Sequence, residues 1–292
     1  ASGLAGLESG KITADTRFED TGVMALGPYT FANWYFTQYG RKEPGLVDLP
    51  IALKRSNDIF FYQLGASVGE GAIAKKAREL GFGKKVGIDI LGEEAGLVPD
   101  PGWKEETIGE VWYPGDTLHM AIGQGFLLTT PLQISNLISF VASDGKQFPA
   151  HLGLTIEDAK KGVVKEFRYD PLNGEQVNPQ YLSLIKKGLE EVPKYGGTAW
   201  PFFTFPIPTA GKTGTAEIGD PKDKTHAWYT AYAPVEDPKI TATVLIEKGG
   251  EGSTHASPVV KEIFRWYFSP EKNNLIRDLG QIATESARTL GE

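Results

Sequence analysis

The sequence predicts an α+β domain, an antiparallel sheet flanked by helices, and three features carry that expectation. Helix-period stripes of apolar residues recur through the first two thirds of the chain. Three segments rich in Thr, Tyr, Trp, Val and Ile then follow, at 207–217, 227–233 and 240–247. A last helical stretch, 258–268, returns to them. Helices first, then strands, then a closing helix is the order of a sheet with helices packed on it.

Taken in order, Leu4 and Leu7 with small residues between them read as a helix ending at Gly10. Residues 19–47 are aromatic, Gly-rich and irregular, with Trp34, Tyr35, Phe36 and Tyr39, and read as a long surface excursion of a kind that is often functional. From 49 to 68 the pattern is helical, with Ile51, Leu53, Ile59, Phe60 and Leu64 forming a stripe. A second amphipathic helix carries Ile73, Ala77 and Leu80 and stops at Gly81. Thr130-Pro131-Leu132-Gln133 supplies a hydroxyl cap, a proline at the first helical position and a glutamine where a capping box needs one. Ile134, Leu137, Ile138 and Val141 then line one face, and 181–192 is a further helix. Pro234-Val235-Glu236-Asp237-Pro238 reads as a turn, so the strands on either side of it form a hairpin. Residues 1–270 make one domain; 271–292, with weak periodicity at Leu275, Leu279 and Ile282, make a tail, helical or mobile.

At 292 residues, 40% of them hydrophobic and 23% charged, the chain can bury a real core. It has no cysteine, which excludes disulfide scaffolds, thiolate zinc sites and cysteine nucleophiles. His119, His151, His226 and His255 are far apart and no H-E-x-x-H occurs, so neither a metal nor a cofactor is expected. A net charge of -7 argues against nucleic acid as a partner. No apolar run approaches the roughly 18 residues of a membrane helix.

Two segments carry chemistry. Gly211-Lys212-Thr213-Gly214-Thr215-Ala216 lacks the first glycine of a phosphate loop, since Pro206 stands five residues before Gly211. In a strand, Lys212 and Gly214 point to one face and Thr213 and Thr215 to the other. A lysine with neighbouring hydroxyls and a free backbone N–H suits a carboxylate beside a reacting carbonyl. By itself the triplet is more often a surface lysine in a Gly-containing strand. Ser56-Asn57-Asp58 opens the helix that continues through Phe60-Phe61-Tyr62; alone, Ser56 reads as a helix N-cap and Asp58 as a first-turn acid. Together, the two segments make a set that serves acyl transfer in penicillin-recognising enzymes.

That set extends along the chain. Ser56-Asn57-Asp58, Trp112-Tyr113-Pro114-Gly115-Asp116, Ile122-Gly123-Gln124-Gly125, Thr130-Pro131-Leu132-Gln133, 210–217 and Thr225-His226-Ala227-Trp228 resemble, in the family's order, the class B penicillin-binding proteins. Asp58, where many relatives have Asn, makes the chain most similar to the penicillin-binding protein 2 subgroup that serves cell elongation. The resemblance implies a serine β-lactamase/D,D-peptidase-like transpeptidase fold and a peptidoglycan D,D-transpeptidase that cross-links stem peptides through an acyl-serine and is trapped by β-lactams.

In that reading Ser56 relays a proton, Asp58 orients it and the neighbouring lysines, and Lys212, Thr213, Gly214 and Thr215 bind the substrate, Thr215 lending its N–H to an oxyanion hole. The family's S-x-x-K nucleophile motif should precede Ser56. Ser143, Ser183 and Ser269 each begin an S-x-x-K string but lie downstream of it and are not expected to serve. Residues 1–10 are similar to the stretch that follows the motif, so the nucleophile is expected ahead of Ala1, with 1–270 lacking the N-terminal part of the domain. Some relatives of the subgroup hold a metal near the aromatic excursion with Cys and His; 19–47 has neither. A membrane anchor outside this chain, a catalytic domain on the outer side of the inner membrane and a lipid-linked glycan polymerase as partner are further implications. Two alternatives stay open: a β-lactam hydrolase or sensor, disfavoured because no E-x-x-L-N occurs, and a catalytically inactive scaffold.

Overall fold

A computed structural model describes residues 1–39, 45–159, 162–172, 177–219, 222 and 224–270; the expected tail at 271–292 lies outside the described residues. The chain begins with α1 (Ser2–Glu8), whose Leu4, Ala5 and Leu7 are buried, and continues to β1 (Phe18–Asp20), β2 (Val23–Leu26), β3 (Tyr29–Ala32), α2 (Trp34–Gln38) and β4 (Gly45–Val47). The described part of the excursion is thus more regular than its composition suggests. β1 pairs with β4, and β2 pairs with β3 through a two-residue Gly27-Pro28 turn, Gly27 taking the positive φ (58°) that such a hairpin demands. Strands of three or four residues are too short for a period of two to show in the sequence.

Next come α3 (Leu49–Arg55), α4 (Asp58–Val68), α5 (Glu70–Glu79), α6 (Pro101–Ile108), α7 (Pro114–Ala121) and α8 (Pro131–Ala142). The helical stretch expected over 49–68 is broken at Ser56. The start of α8 is as the sequence predicts: Thr130 accepts from the Gln133 N–H at 3.2 Å while the Gln133 side chain accepts from the Thr130 N–H at 2.9 Å. An exposed hairpin, β5 (Thr155–Asp158) with β6 (Gly162–Glu166), precedes α9 (Pro179–Glu191).

The main sheet follows as β7 (Ala210–Glu217), β8 (Thr225–Ala233) and β9 (Ile240–Ile246), antiparallel in the order β7-β8-β9, and α10 (Ser257–Tyr267) is the last helix among the described residues. Alternation along the middle strand decides what covers each face. Ala227, Tyr229, Ala231 and Ala233 join Val260 and Phe264 of α10 in one core cluster, whereas Tyr232 joins residues of α5, α8 and α9 in another. The sheet is therefore sandwiched between helices, as expected. β7 is an edge strand, and 212–215 on it line a cavity together with Leu53 of α3, Asp58 of α4 and Met120 of α7. Among the described residues no helix is long and apolar enough to cross a membrane.

Candidate active site

The break between α3 and α4 creates the site's first wall. Ser56 takes a left-handed conformation (φ 52°, ψ 53°) and closes α3, while Asn57 caps α4, its Oδ1 accepting from the Phe60 N–H at 2.8 Å. The cap of this helix is Asn57, not Ser56. A non-glycine residue in this region costs roughly 1–2 kcal/mol, so the surroundings must hold it. They do: the Trp34 indole N–H donates to the carbonyls of both Arg55 and Ser56, each at 3.0 Å. Excused from capping, the Ser56 hydroxyl is turned to the cleft, where it accepts from Lys212 Nζ at 2.7 Å.

The second wall is β7. Lys212 Nζ also donates to the Thr213 carbonyl at 2.9 Å, and Gln124 Nε2 donates to the Thr215 carbonyl at 3.2 Å. In an antiparallel strand the N–H and C=O of one residue point to the same edge, so the Thr213 and Thr215 N–H groups face the cleft as well. The Thr213 hydroxyl pairs with that of Thr198 at 2.7 Å. The strand alternation separates Lys212 and Gly214 from Thr213 and Thr215, yet all four line one cleft, because the strand meets it edge-on. Gly252 packs on β7 and β8 with its N–H 3.4 Å from Thr215 Oγ1: a Cβ there would sit 2.1 Å from the Trp228 carbonyl and 2.4 Å from that of Gly214. We expect Gly252→Ala to push these backbones apart and cost about 1–3 kcal/mol, read as a lowered urea midpoint; an unchanged midpoint would contradict this packing.

Electrostatics tie the walls together. Burial raises the Asp58 carboxyl to about 6, against the pull of the Trp34 N–H, 3.4 Å from Oδ2, and of the Lys212 charge; Asp20 and Glu217 add to the rise. Burial lowers Lys212 to about 8, with Asp58 opposing. Between those values Asp58 is ionised and Lys212 protonated, and each is poised near neutrality. Ser56, Asp58 and Lys212 share an inner cavity of about 420 Å³, mostly apolar, and Ser56 and Asp58 also border an outer groove of about 470 Å³ lined by Trp34, Glu217 and Glu251.

The six residues singled out in the sequence thus gather at one cleft. None of Ser143, Ser183 and Ser269 lines it; Ser143 instead donates to the Ser139 carbonyl at 2.7 Å at the end of α8. The histidines have other partners: His119 packs edge-on to Phe31, His151 stacks on Tyr169, and His226 Nδ1 accepts from the Lys248 N–H at 3.0 Å. Among the described residues no three His, Cys, Asp or Glu side chains gather as a metal would require. Sequence reasoning missed Trp34 and Thr198 as parts of the site. Trp34 is 22 residues from Ser56, and no local pattern links the two.

Comparison with known proteins gives a consistent answer. Residues 1–265 match the penicillin binding protein transpeptidase domain. The peptidoglycan D,D-transpeptidase MrdA of Haemophilus influenzae is 32% identical over 278 residues, covering 88% of this chain but 41% of that protein. The crystal structure of Pseudomonas aeruginosa PBP2 in complex with WCK 5153 superposes with a TM-score of 0.78 at 33% identity, covering 92% of this chain and 59% of that one. PBP2 of Helicobacter pylori in complex with MreC gives 0.77 at 33%, over 91% and 47%. The chain thus spans less than half the length of the curated relative and about half to three fifths of the solved ones. The chain therefore belongs to the penicillin-binding protein transpeptidase domain family, within it to the MrdA/PBP2 type.

Proposed function

We propose that this chain supplies the carboxylate-binding and proton-handling walls of a peptidoglycan D,D-transpeptidase. The observation that carries the reading is the 2.7 Å contact between Lys212 and Ser56, which joins two segments 156 residues apart at the bottom of one cleft. In the reaction a serine oxygen bonds to the carbonyl carbon of the penultimate D-Ala of a stem peptide, the C–N bond to the terminal D-Ala breaks, and the serine's proton ends on the leaving amine. An amine of a second stem then takes the acyl group and frees the serine. No S-x-x-K serine of residues 1–292 lies at the cleft, so the reading takes the nucleophile from a residue outside them.

Each wall has a task. Protonated Lys212, with Thr213 and Thr215 beside it, attracts the substrate's terminal carboxylate. Charge that develops on the carbonyl oxygen is met by the Thr215 N–H, which faces the cleft. Ser56, accepting from Lys212, has its own proton available for the leaving amine. Gly214 lies opposite Trp228 of β8, where a Cβ would come within 3.1 Å of the Trp228 Cβ, so glycine here lets the strand that carries Lys212 pack closely on its neighbour. Asp58 keeps positive charge in the cleft; when ionised it offers no amide proton to the substrate, unlike the Asn of many relatives. β-Lactams, whose strained amide presents the same carbonyl and carboxylate, would acylate the same serine.

Acylation of the full gene product by a fluorescent penicillin tests this, together with the sequence encoded ahead of Ala1. One adduct per molecule on a serine of an S-x-x-K motif supports the reading; no adduct, or no such motif, rejects it. The rate of acylation should be bell-shaped in pH. Below about 6 Asp58 takes up a proton and the anion is lost; above about 8 Lys212 gives one up and the cation is lost. A rate that stays flat from pH 5 to 9 would exclude these two groups from the reaction. We also assign the full protein to the outer side of a bacterial inner membrane, anchored by a segment outside residues 1–292. As the MreC complex of the Helicobacter pylori relative suggests, its partners are other components of the elongation machinery, a lipid-linked glycan polymerase among them.

A further inference from the structure

A carboxylate that no step of the reaction uses lies one layer beneath the Ser56 junction. Asp20, at the end of β1, is 1% exposed, as are Asn33 and Asn57. Its Oδ1 accepts from the Gly22 N–H at 2.7 Å; its Oδ2 accepts from Asn33 Nδ2 at 2.5 Å and from Asn57 Nδ2 in a second, shorter contact. Each amide uses its other atom to cap a helix. Asn33 Oδ1 accepts from the Tyr35 N–H of α2 at 3.4 Å, and Asn57 Oδ1 from the Phe60 N–H of α4 at 2.8 Å.

One side chain therefore joins the N-termini of two helices, and each helix begins with a residue that touches the cleft. Trp34 opens α2 and holds the Arg55 and Ser56 carbonyls; Asp58 opens α4 and accepts from the Trp34 N–H. Gly22 completes the knot: its carbonyl accepts from the Asn33 N–H at 2.9 Å, and a Cβ at this position would fall 1.9 Å from the Phe36 ring. An amide NH₂ donates and a carboxylate only accepts, so the Asp–Asn–Asn arrangement is matched in sense at every contact. A buried network satisfied in this way is rigid, and removing the Asp20 carboxylate leaves three buried donors, the Gly22 N–H and the Asn33 and Asn57 amides, without their acceptor.

Resting on the transpeptidase reading above, we propose that Asp20, through Asn33 and Asn57, is the positioning residue that fixes Ser56 and Asp58 against Lys212. It touches no substrate; it sets the angle between the aromatic excursion and α4, and with it the left-handed turn at Ser56. Its charge also reaches the site, because the groups facing Asp58 are Asp20 from β1, Lys212 and Glu217 from β7 and Tyr62 from its own helix. Replacing Asp20 by a neutral residue should therefore ease the ionisation of Asp58.

The test uses the full gene product as wild type, Asp20→Asn, Asp20→Ala and the exchange Asp20→Asn/Asn57→Asp, at a temperature where circular dichroism shows each folded. Two readouts are taken: hydrogen–deuterium exchange peptide by peptide, and the rate of penicillin acylation against pH. We expect exchange to rise about tenfold or more in peptides covering 33–36 and 55–60 while α10 is unchanged. Acylation should fall on the order of 10- to 100-fold, its acid limb should move to lower pH, and the exchange variant should recover part of the loss by returning a carboxylate to the knot. Acylation within twofold of wild type in folded Asp20→Asn and Asp20→Ala, or exchange that rises equally in α10, would overturn the proposal. A wild type that is not acylated rejects the transpeptidase reading instead, and the exchange data still decide whether Asp20 holds the junction.

Discussion

Lys212→Ala should lower the rate of penicillin acylation by about 10²–10³, or 2.7–4 kcal/mol of transition-state stabilisation, the usual loss for one preorganised donor in an enclosed site. Two interactions disappear with the ammonium. The ligand's carboxylate enters without a cation, and the Ser56 hydroxyl loses the donor that stands 2.7 Å away. The second loss matters because the orientation of that hydroxyl decides where its own proton points. Lys212→Arg separates the two effects. Arginine restores a positive charge, but a planar fork does not reproduce a compact ammonium between the Ser56 hydroxyl and the Thr213 carbonyl. Arginine should therefore recover the affinity for a carboxylate ligand more fully than it recovers the acylation rate. An acylation rate for Lys212→Ala within about threefold of wild type would remove Lys212 from the role assigned to it.

Phe60→Ala should cost about 3–5 kcal/mol of stability. The Phe60 ring is fully buried among Leu7, Ile12, Leu49 and Leu64, 5.1 Å from the Phe18 ring and 5.4 Å from that of Phe61. Those neighbours belong to four different parts of the chain, so they cannot collapse together onto the vacated volume and the cavity persists. Phe60→Leu, which fills most of it, should cost less. Urea unfolding is the measurement, with the midpoint falling at constant slope. The substitution also probes function, since Phe60 donates the backbone N–H that Asn57 caps. A drop under about 1 kcal/mol would mean that the helix does not pack as described.

The helices were legible where a local rule sets their ends. Thr130 with Gln133 announces α8 through a capping box that needs no partner elsewhere in the chain. The three long strands were legible from their composition, and the hairpin from the two prolines of the turn that joins it. Short strands such as β2 and β3 were not, because four residues carry too little periodicity. Nor was the break at Ser56: apolar spacing continues across it from Leu53 to Ile59, and a left-handed serine is held by an indole from a distant segment rather than by its neighbours. The candidate site divides in the same way. Ser56, Asp58 and 212–215 stood out as two motifs, while Trp34, Thr198 and Asp20 act through contacts that exist only once the chain is folded.

The edge position of β7 has a consequence beyond catalysis. A bare strand edge will accept any extended backbone offered to it, which is why unprotected edges drive proteins to stack on one another. Here the edge lies at the bottom of a cleft, with Gln124 bonded to the Thr215 carbonyl on one side and Trp34 bordering the outer groove. A single slender peptide can reach it, whereas the broad flank of a neighbouring sheet cannot. Walls this close to the strand stand between its edge and a second copy of the chain, so a variant that widens the cleft is expected to lose solubility as well as activity.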